Sequence, residues 1–316
     1  MRSCRACFAG LALAVALTVA VAGQSQTSDR TWHPYTGITL VERVLTTPRP
    51  ATWHLAQVDL RARGLRIRVT PPGGSREVVR ESTLAALTRT GAQLAVNGHF
   101  FLPFPSDDAD AWVIGLGASD GHVFSAFESP EQSFALVADT PALAIDHRNR
   151  ARIVHRRSGA DGTRIRERGR LWNAVAGSAQ IVTDGQVTIP EYRDEAHPRG
   201  ALTPGPDGRF DNARSWYDLV TGRTIAGLSR DRRALTLVAI DGRAGQEGST
   251  LREAARLLVR DYGVWNALNL DGGGSTTMAW RDPATGEASL LNRSSDGPLG
   301  RRVATSLLVF AAPASR

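Results

Sequence analysis

The run from residue 234 to residue 271 constrains this chain more than any other part of its sequence. Residues 234–240 are almost unbroken apolar sequence, the pattern of a strand covered on both faces, and they stop at Asp241-Gly242-Arg243. Thr250 and Glu253 have the spacing of a capping box, in which each side chain satisfies an orphan amide at a helix start. Leu251, Ala254, Ala255 and Leu258 follow at the interval that puts them on one helical face. Gly263 ends that helix, and residues 264–270 read as the next strand, ending at Asp271. A crossover through a helix returns the chain in its starting direction, so the two strands are expected to be parallel. Asp241 and Asp271 then leave the sheet at one edge, where ligands of open α/β sheets collect.

The same grammar occurs earlier in weaker form. Residues 53–69 alternate enough for one or two strands around Arg63-Gly64, Ser82 and Thr83 open a short helix, and Gly91 closes it. Residues 94–96 form a buried strand that stops at Asn97-Gly98. Further strands are expected at 276–280 and 303–310. The fold class expected is therefore α/β (α+β mixed), a central mixed sheet with parallel strand–helix–strand units and a site at the strand carboxyl ends. Residues 190–215, rich in Pro, Gly and Asp, read as an exposed excursion. The segment 139–170 is charged and irregular, and no period repeats through the chain. One domain is expected over 53–316, preceded by a linker or extension over 23–52.

Residues 1–22 have the form of a signal peptide. Arg2 and Arg5 precede an apolar run from Phe8, and Ala20-Val21-Ala22 offers a cleavage site before Gly23. A secreted or periplasmic protein is expected, with no membrane-spanning segment after cleavage. Both cysteines, Cys4 and Cys7, lie in that leader, so the mature chain depends on its core and not on disulfides. The net charge of +7 invites comparison with nucleic-acid binders, but all 38 cationic side chains are arginine. They alternate with acids, as in Arg164-Ile165-Arg166-Glu167-Arg168, instead of forming a basic face, so no specific nucleic-acid partner is expected. The lack of lysine excludes Walker, Schiff-base and Ser-x-x-Lys chemistry.

Three glycines directly after a strand-terminal aspartate are hard to explain by packing alone, because glycine there is entropically costly. Asp271-Gly272-Gly273-Gly274-Ser275 suits close approach of a ligand to backbone, with successive amides able to nest an anion and Ser275, Thr276 and Thr277 adding hydroxyls. The stretch from Asn269 to Met278 resembles the signature of the phosphodiester glycosidase family. Ala95-Val96-Asn97-Gly98-His99-Phe100-Phe101, the segment 177–185, Arg223-Thr224-Ile225-Ala226-Gly227, Asp241-Gly242-Arg243 and the stretch from Asn292 to Arg301-Arg302-Val303 resemble further family elements in order. The resemblance spans residues 90–310. His99 departs from it where a small residue is usual, and Gly222 where a proline commonly precedes the arginine.

The resemblance implies hydrolysis of a sugar joined through C1 to a phosphodiester, in exopolysaccharide or cell-envelope glycan metabolism. Cleavage at the anomeric carbon builds positive charge that a carboxylate stabilises or attacks. Asp271 is the first candidate for that role and Asp241 the second. Arg223 and the amides of Gly272, Gly273, Gly274 and Ser275 are expected to hold the phosphate. Asn97, Gly98, His99, Arg243, Thr276, Asn292 and Arg301 complete the expected substrate contacts. Two other classes remain: a non-catalytic carbohydrate- or polymer-binding protein on the same fold, and a phosphodiesterase that breaks P–O instead of C–O.

Other motifs fail on inspection. Gly115-Leu116-Gly117 lacks the third glycine and the helix of a dinucleotide loop. Asp107, Asp108 and Asp110 do not have EF-hand spacing, and the seven histidines show no zinc spacing. No cofactor is evident, no metal ligand is assigned, and no clear motif supports a divalent cation.

Overall fold

The computed structural model describes residues 27–127, 140–157, 162–189, 217, 219–243 and 247–314. The leader and the excursion over 190–215 lie outside the described residues, as does part of the segment 139–170. Three sheets carry the fold. The largest has eight strands, in the order Thr27–Tyr35, Ile38–Leu45, Ala51–Asp59, Ala234–Ile240, Arg223–Ser229, Val264–Asn269, Ala179–Thr183 and Gln186–Val187. A five-stranded sheet packs on it, in the order Ala288–Leu290, Met278–Arg281, Leu94–Asn97, Ser306–Phe310 and Arg66–Val69. A second five-stranded sheet, which includes Ala142–Ile145 and Asn173–Ala176, completes the set. Residues 27–45, expected to lie in an N-terminal extension, form a hairpin at the edge of the large sheet.

Helix α1 (Thr83–Thr90) and helix α2 (Leu251–Tyr262) lie on opposite sides of these sheets. The capping box at the start of α2 is present, with the Thr250 hydroxyl accepting from the Glu253 amide at 3.2 Å and the Glu253 carboxylate accepting from Thr250 N–H at 2.9 Å. Leu251, Ala254, Ala255 and Leu258 are buried against Ile225, Val238 and Ile240 on one face of the large sheet. Its other face, carrying Leu237, Ala239 and Leu268, packs on Val96, Met278 and Leu307 of the smaller sheet. The outer face of that sheet, with Ala95 and Leu308, receives Ala86 and Leu87 of α1. The layers therefore run helix, sheet, sheet, helix.

The expected α/β class with parallel strand–helix–strand units is not the architecture formed. Every pairing between described strands is antiparallel, and two α-helices are described. The reason lies in what a crossover fixes. Strands Ala234–Ile240 and Val264–Asn269 do run in one direction, but Arg223–Ser229 lies between them and pairs antiparallel with both. Arg66–Val69 and Leu94–Asn97 likewise flank Ser306–Phe310. A helical crossover sets direction, whereas adjacency depends on strands from elsewhere in the chain.

The Asn97 side-chain amide bridges the two packed sheets at one edge. Asn97 ends its strand in the smaller sheet and is fully buried. Its Nδ2 donates to the Asp271 carbonyl at 2.6 Å, while its Oδ1 accepts from the Thr224 hydroxyl at 2.7 Å and the Thr277 amide at 3.0 Å. Removing that amide strands a buried acceptor and two buried donors, each costing about 1–3 kcal/mol. Asn97→Ala is expected to lower stability by about 3 kcal/mol, read as a shift in urea midpoint at constant slope. Loss of the helix cap in Thr250→Ala should cost only about 1 kcal/mol. Equal shifts for the two proteins would refute the clamp.

Candidate active site

The site forms where three strand ends meet. Arg223 begins its strand opposite Ile240, so Asp241 emerges beside Gly222. The Leu270 amide donates to the Thr224 carbonyl at 2.9 Å, and Asp271 N–H donates to the Gly98 carbonyl at 3.1 Å. Asp241, Asp271 and the backbone around Arg223 therefore share one sheet edge, as the directions of the strands require.

Beyond Asp271 the chain makes one short turn of helix over Gly273–Ser275. Gly273 has φ +58°, a conformation that suits glycine. Its amide donates to the Gly222 carbonyl at 2.8 Å, while the Ser275 and Thr276 amides turn back to Gly272 and Gly273 carbonyls at 3.1 Å each. Three amides expected to nest an anion, or to flank such a nest, are thus used within the protein. Gly274 has a different reason to be glycine: a Cβ there would lie 2.3 Å from Arg301 Nη2.

Asp271 is only 8% exposed, and its Oδ2 has no hydrogen-bond partner. Burial pushes its carboxyl up to about 7, against the opposing effects of the Ser275 hydroxyl, the Arg301 charge and the Gly272 amide. The guanidinium beside this carboxylate belongs to Arg301. Its Nε donates to Asp296 at 2.7 Å, its Nη1 reaches Ser275 Oγ at 3.4 Å, and its Cζ lies 4.9 Å from the centre of the Phe104 ring. Nη2 faces the glycine turn.

Other expected site residues are placed differently. Arg223 is buried, with Nε donating to the Ser249 carbonyl at 2.9 Å and Nη2 donating to the Leu219 carbonyl, so its guanidinium secures the segments before and after its strand. The Asp241 carboxylate accepts from Arg293 N–H at 2.8 Å and faces His54 Nε2 at 3.4 Å. Arg243 is exposed. Gly98 donates its amide to the Thr305 carbonyl at 2.9 Å. Asn292 holds the turn, donating from Nδ2 to the Thr276 carbonyl at 3.1 Å and accepting from Met278 N–H at 2.6 Å. His99 is fully buried between the Thr305 hydroxyl at 2.7 Å and the Leu116 carbonyl at 3.0 Å. Burial lowers its pKa to about 4, so the ring is neutral: Nε2 donates to Leu116 and Nδ1 accepts from Thr305.

One residue of the glycine signature was given no role in the sequence reading. Asn269 is fully buried, donates from Nδ2 to Ser178 Oγ at 3.0 Å, and leaves Oδ1 without a partner. Its signal was its place at the end of the strand Val264–Asn269, two residues before Asp271. With Asp271 Oδ2 and the hydroxyl of Thr276, it makes three buried oxygens between residues 269 and 276 that lack partners. Two of them, the amide and carboxylate oxygens, can only accept while Asp271 is ionised, so a group that completes them must be a donor. Among the described residues no group of three His, Cys, Asp or Glu side chains could hold a metal ion. Two open surface clefts, one lined by Tyr35, Asp59 and Asp231 and the other by Arg68, Asp146 and Trp172, do not include any residue of the Asp271 turn.

Comparison with known proteins identifies the family. The bovine (Bos taurus) N-acetylglucosamine-1-phosphodiester alpha-N-acetylglucosaminidase is 33% identical over 104 residues, a stretch that is 33% of this chain and 18% of the bovine protein. The chain thus spans only part of that relative's length. The catalytic domain of the zebrafish enzyme of the same name, auto-inhibited by its pro-peptide, superposes with a TM-score of 0.61 at 19% identity, covering 90% of this chain and 87% of that one. A hypothetical protein from Synechocystis superposes with a TM-score of 0.56 at 17% identity, covering 87% of this chain and 62% of the other. These superpositions establish a shared fold. The phosphodiester glycosidase family model matches residues 90–310, which include every strand end and turn just described, and the chain belongs to that family.

Proposed function

We propose that this protein hydrolyses a sugar 1-phosphodiester by breaking the anomeric C–O bond. The observation that carries the proposal is the buried Asp271 carboxylate, with one oxygen unpartnered, beside the Arg301 guanidinium. Departure of the phosphate leaves positive charge at C1, and the ionised carboxylate stabilises or captures it. The released phosphate monoester keeps the bridging oxygen, and water supplies the hydroxyl that completes the free sugar. Arg301 Nη2 offers donors to the departing phosphate, in the role first expected of Arg223. Asn269 Oδ1 and Thr276 Oγ1 accept from sugar hydroxyls. Asp241 supports the wall of the site through Arg293 N–H.

The named relatives act on N-acetylglucosamine-1-phosphodiesters, which makes those diesters the first substrates to test. An exported enzyme acting on exopolysaccharide or cell-envelope phosphoglycans fits the sequence of residues 1–22. No helix among the described residues is long and apolar enough to cross a membrane. N-terminal sequencing of the protein from its host should begin near Gly23, and an intact Met1 on a cytosolic product would overturn export.

Hydrolysis in oxygen-18 water should place the label in the sugar. Label in the phosphate would mean P–O cleavage. Asp271→Asn should cut turnover by at least about 10²-fold, and Arg301→Lys should be comparably damaging because lysine lacks the planar fork that grips phosphate. The catalytic form is the anion, so kcat/KM should rise with pH and level off above about 7, and this dependence should vanish in the residual activity of Asp271→Asn.

Stability should run the other way. The folded carboxyl holds its proton up to about 7, against 3.8 for an ordinary one, so unfolding releases a proton between those values. The favourable contribution present below 3.8 is lost as pH rises through about 7. The Tm of Asp271→Asn should therefore gain on the parent across that window and hold a constant lead above it. A lead independent of pH would refute the raised carboxyl.

A further inference from the structure

Arg80 is a buried cation that the proposed reaction does not use. It ties together the two segments that carry Phe104 and Arg301. Its Nη1 donates to the Ser106 carbonyl at 2.6 Å and the Asp108 carbonyl at 3.2 Å. Its Nε and Nη2 donate to the Arg302 carbonyl at 3.3 and 3.1 Å, and Arg302 Nη2 donates back to the Arg80 carbonyl at 3.0 Å. The Arg80 guanidinium also lies 4.8 Å from the centre of the Phe101 ring. Phe101 meets Phe104 edge-on at 5.8 Å, and the Arg301 guanidinium lies 4.9 Å from the centre of Phe104. Two cations and two rings thus alternate from the buried Arg80 out to the site.

Arg301 is held at its edge as well as on its face. Its Nε donates to Asp296 at 2.7 Å and its Nη1 to Ser275 Oγ at 3.4 Å, which leaves Nη2 without a protein acceptor among the described residues. Of the other carboxylates nearby, Asp108 is paired with Arg76 at 2.8 Å and Asp107 lies within electrostatic reach of Arg80, so Asp296 is the one bonded to Arg301. A free arginine samples many rotamers, and these must be frozen before its fork can grip a phosphate. Here the Phe104 ring sets the plane of the guanidinium, and the Asp296 carboxylate sets its rotation within that plane. Nη2 then stands at the glycine turn, where a Cβ on Gly274 would lie 2.3 Å from it, before any ligand arrives. With Nε taken by Asp296, a phosphate is met by the Nη end of the fork. We propose that Phe104 and Asp296 are positioning residues that hold Arg301 ready for the substrate phosphate, with Arg80 anchoring the stack. This rests on the reading of Arg301 as the phosphate donor given above.

The test is a set of double-mutant cycles on hydrolysis of the methyl diester of N-acetylglucosamine 1-phosphate. Phe104→Ala and Asp296→Ala should each lower kcat/KM about 5-fold, the effect of freeing a side chain that binding must then immobilise. Phe104→Tyr keeps the ring face and Asp296→Asn keeps an acceptor for Nε, so each should recover most of that loss. In an Arg301→Ala background neither alanine change should cost anything further, because nothing is left to position. A loss in that background equal to the loss in the parent would mean general damage to the site and overturn the proposal. So would parent-like kcat/KM in both alanine variants while Arg301→Ala is impaired, and the phosphate role of Arg301 would then stand without it. Full activity in Arg301→Ala would remove both. Should the protein hydrolyse no diester, calorimetric binding of the same diester to the same variants decides. Coupling of Phe104 and Asp296 to Arg301 in the binding constant keeps the positioning, and the reading of the reaction alone has failed. Absence of that coupling, or of binding, overturns both.

Discussion

Everything at this site depends on the hydrogen bonds of Asn97. One side chain from the smaller sheet satisfies the carbonyl of Asp271 and the amide of Thr277, at the two ends of the glycine turn, and the hydroxyl of Thr224 in the large sheet. Buried polar groups in the gap between two sheets cannot turn to water, so each must find a partner within the protein. Asn97 supplies all three. The backbone of Asp271 is thereby fixed on one side, and one oxygen of its buried carboxyl group is left without a partner. His99 acts alongside it. Its neutral ring ties the following segment to Thr305 and Leu116, so the sheet edge that carries Asn97 does not shift.

The turn from 269 to 276 shows the opposite economy. Asn269 Oδ1, Asp271 Oδ2 and Thr276 Oγ1 are buried without partners, although most buried polar groups of the protein have them. An unsatisfied polar group inside a protein lowers stability, and a cluster of such groups at one turn marks where a ligand completes the set. The raised carboxyl of Asp271 is the same strain seen electrically: the low-polarity surroundings disfavour the anion until a donor or a developing positive charge arrives. Gly274 extends the argument to shape, since any side chain there would occupy the place of the Arg301 guanidinium.

The two arginines divide the work by where their strands put them. Arg223 points into the layer beneath α2 and spends its donors on carbonyl groups of Ser249 and Leu219. Arg301 comes from a separate segment near the C-terminus, lies across the glycine turn, and is partly exposed with Phe104 beneath it. A cation that reaches solvent and flanks a buried carboxylate can meet an incoming phosphate. One committed to backbone carbonyls holds the scaffold instead.

Much of this was legible in the residues. The helix starts at Thr83 and Thr250, the stops at Gly91 and Gly263, and the strand ends at Asn97, Asp241 and Asp271 follow from capping chemistry and apolar periodicity, which act over a few neighbouring residues. So does the common direction of the strands before and after α2, because a helical crossover admits little else. The antiparallel strand between them did not follow, since residues 223–229 reach that place by long-range pairing that no local pattern encodes. The separation of Arg223 from Arg301, and the commitment of Asn97, His99 and Asn292 to holding the site together, were equally hidden in sequence. Residue type fixes what a side chain can donate or accept. Only the packed fold decides whether protein groups consume that capacity or leave it for a substrate, because the partners come from segments far apart in the chain.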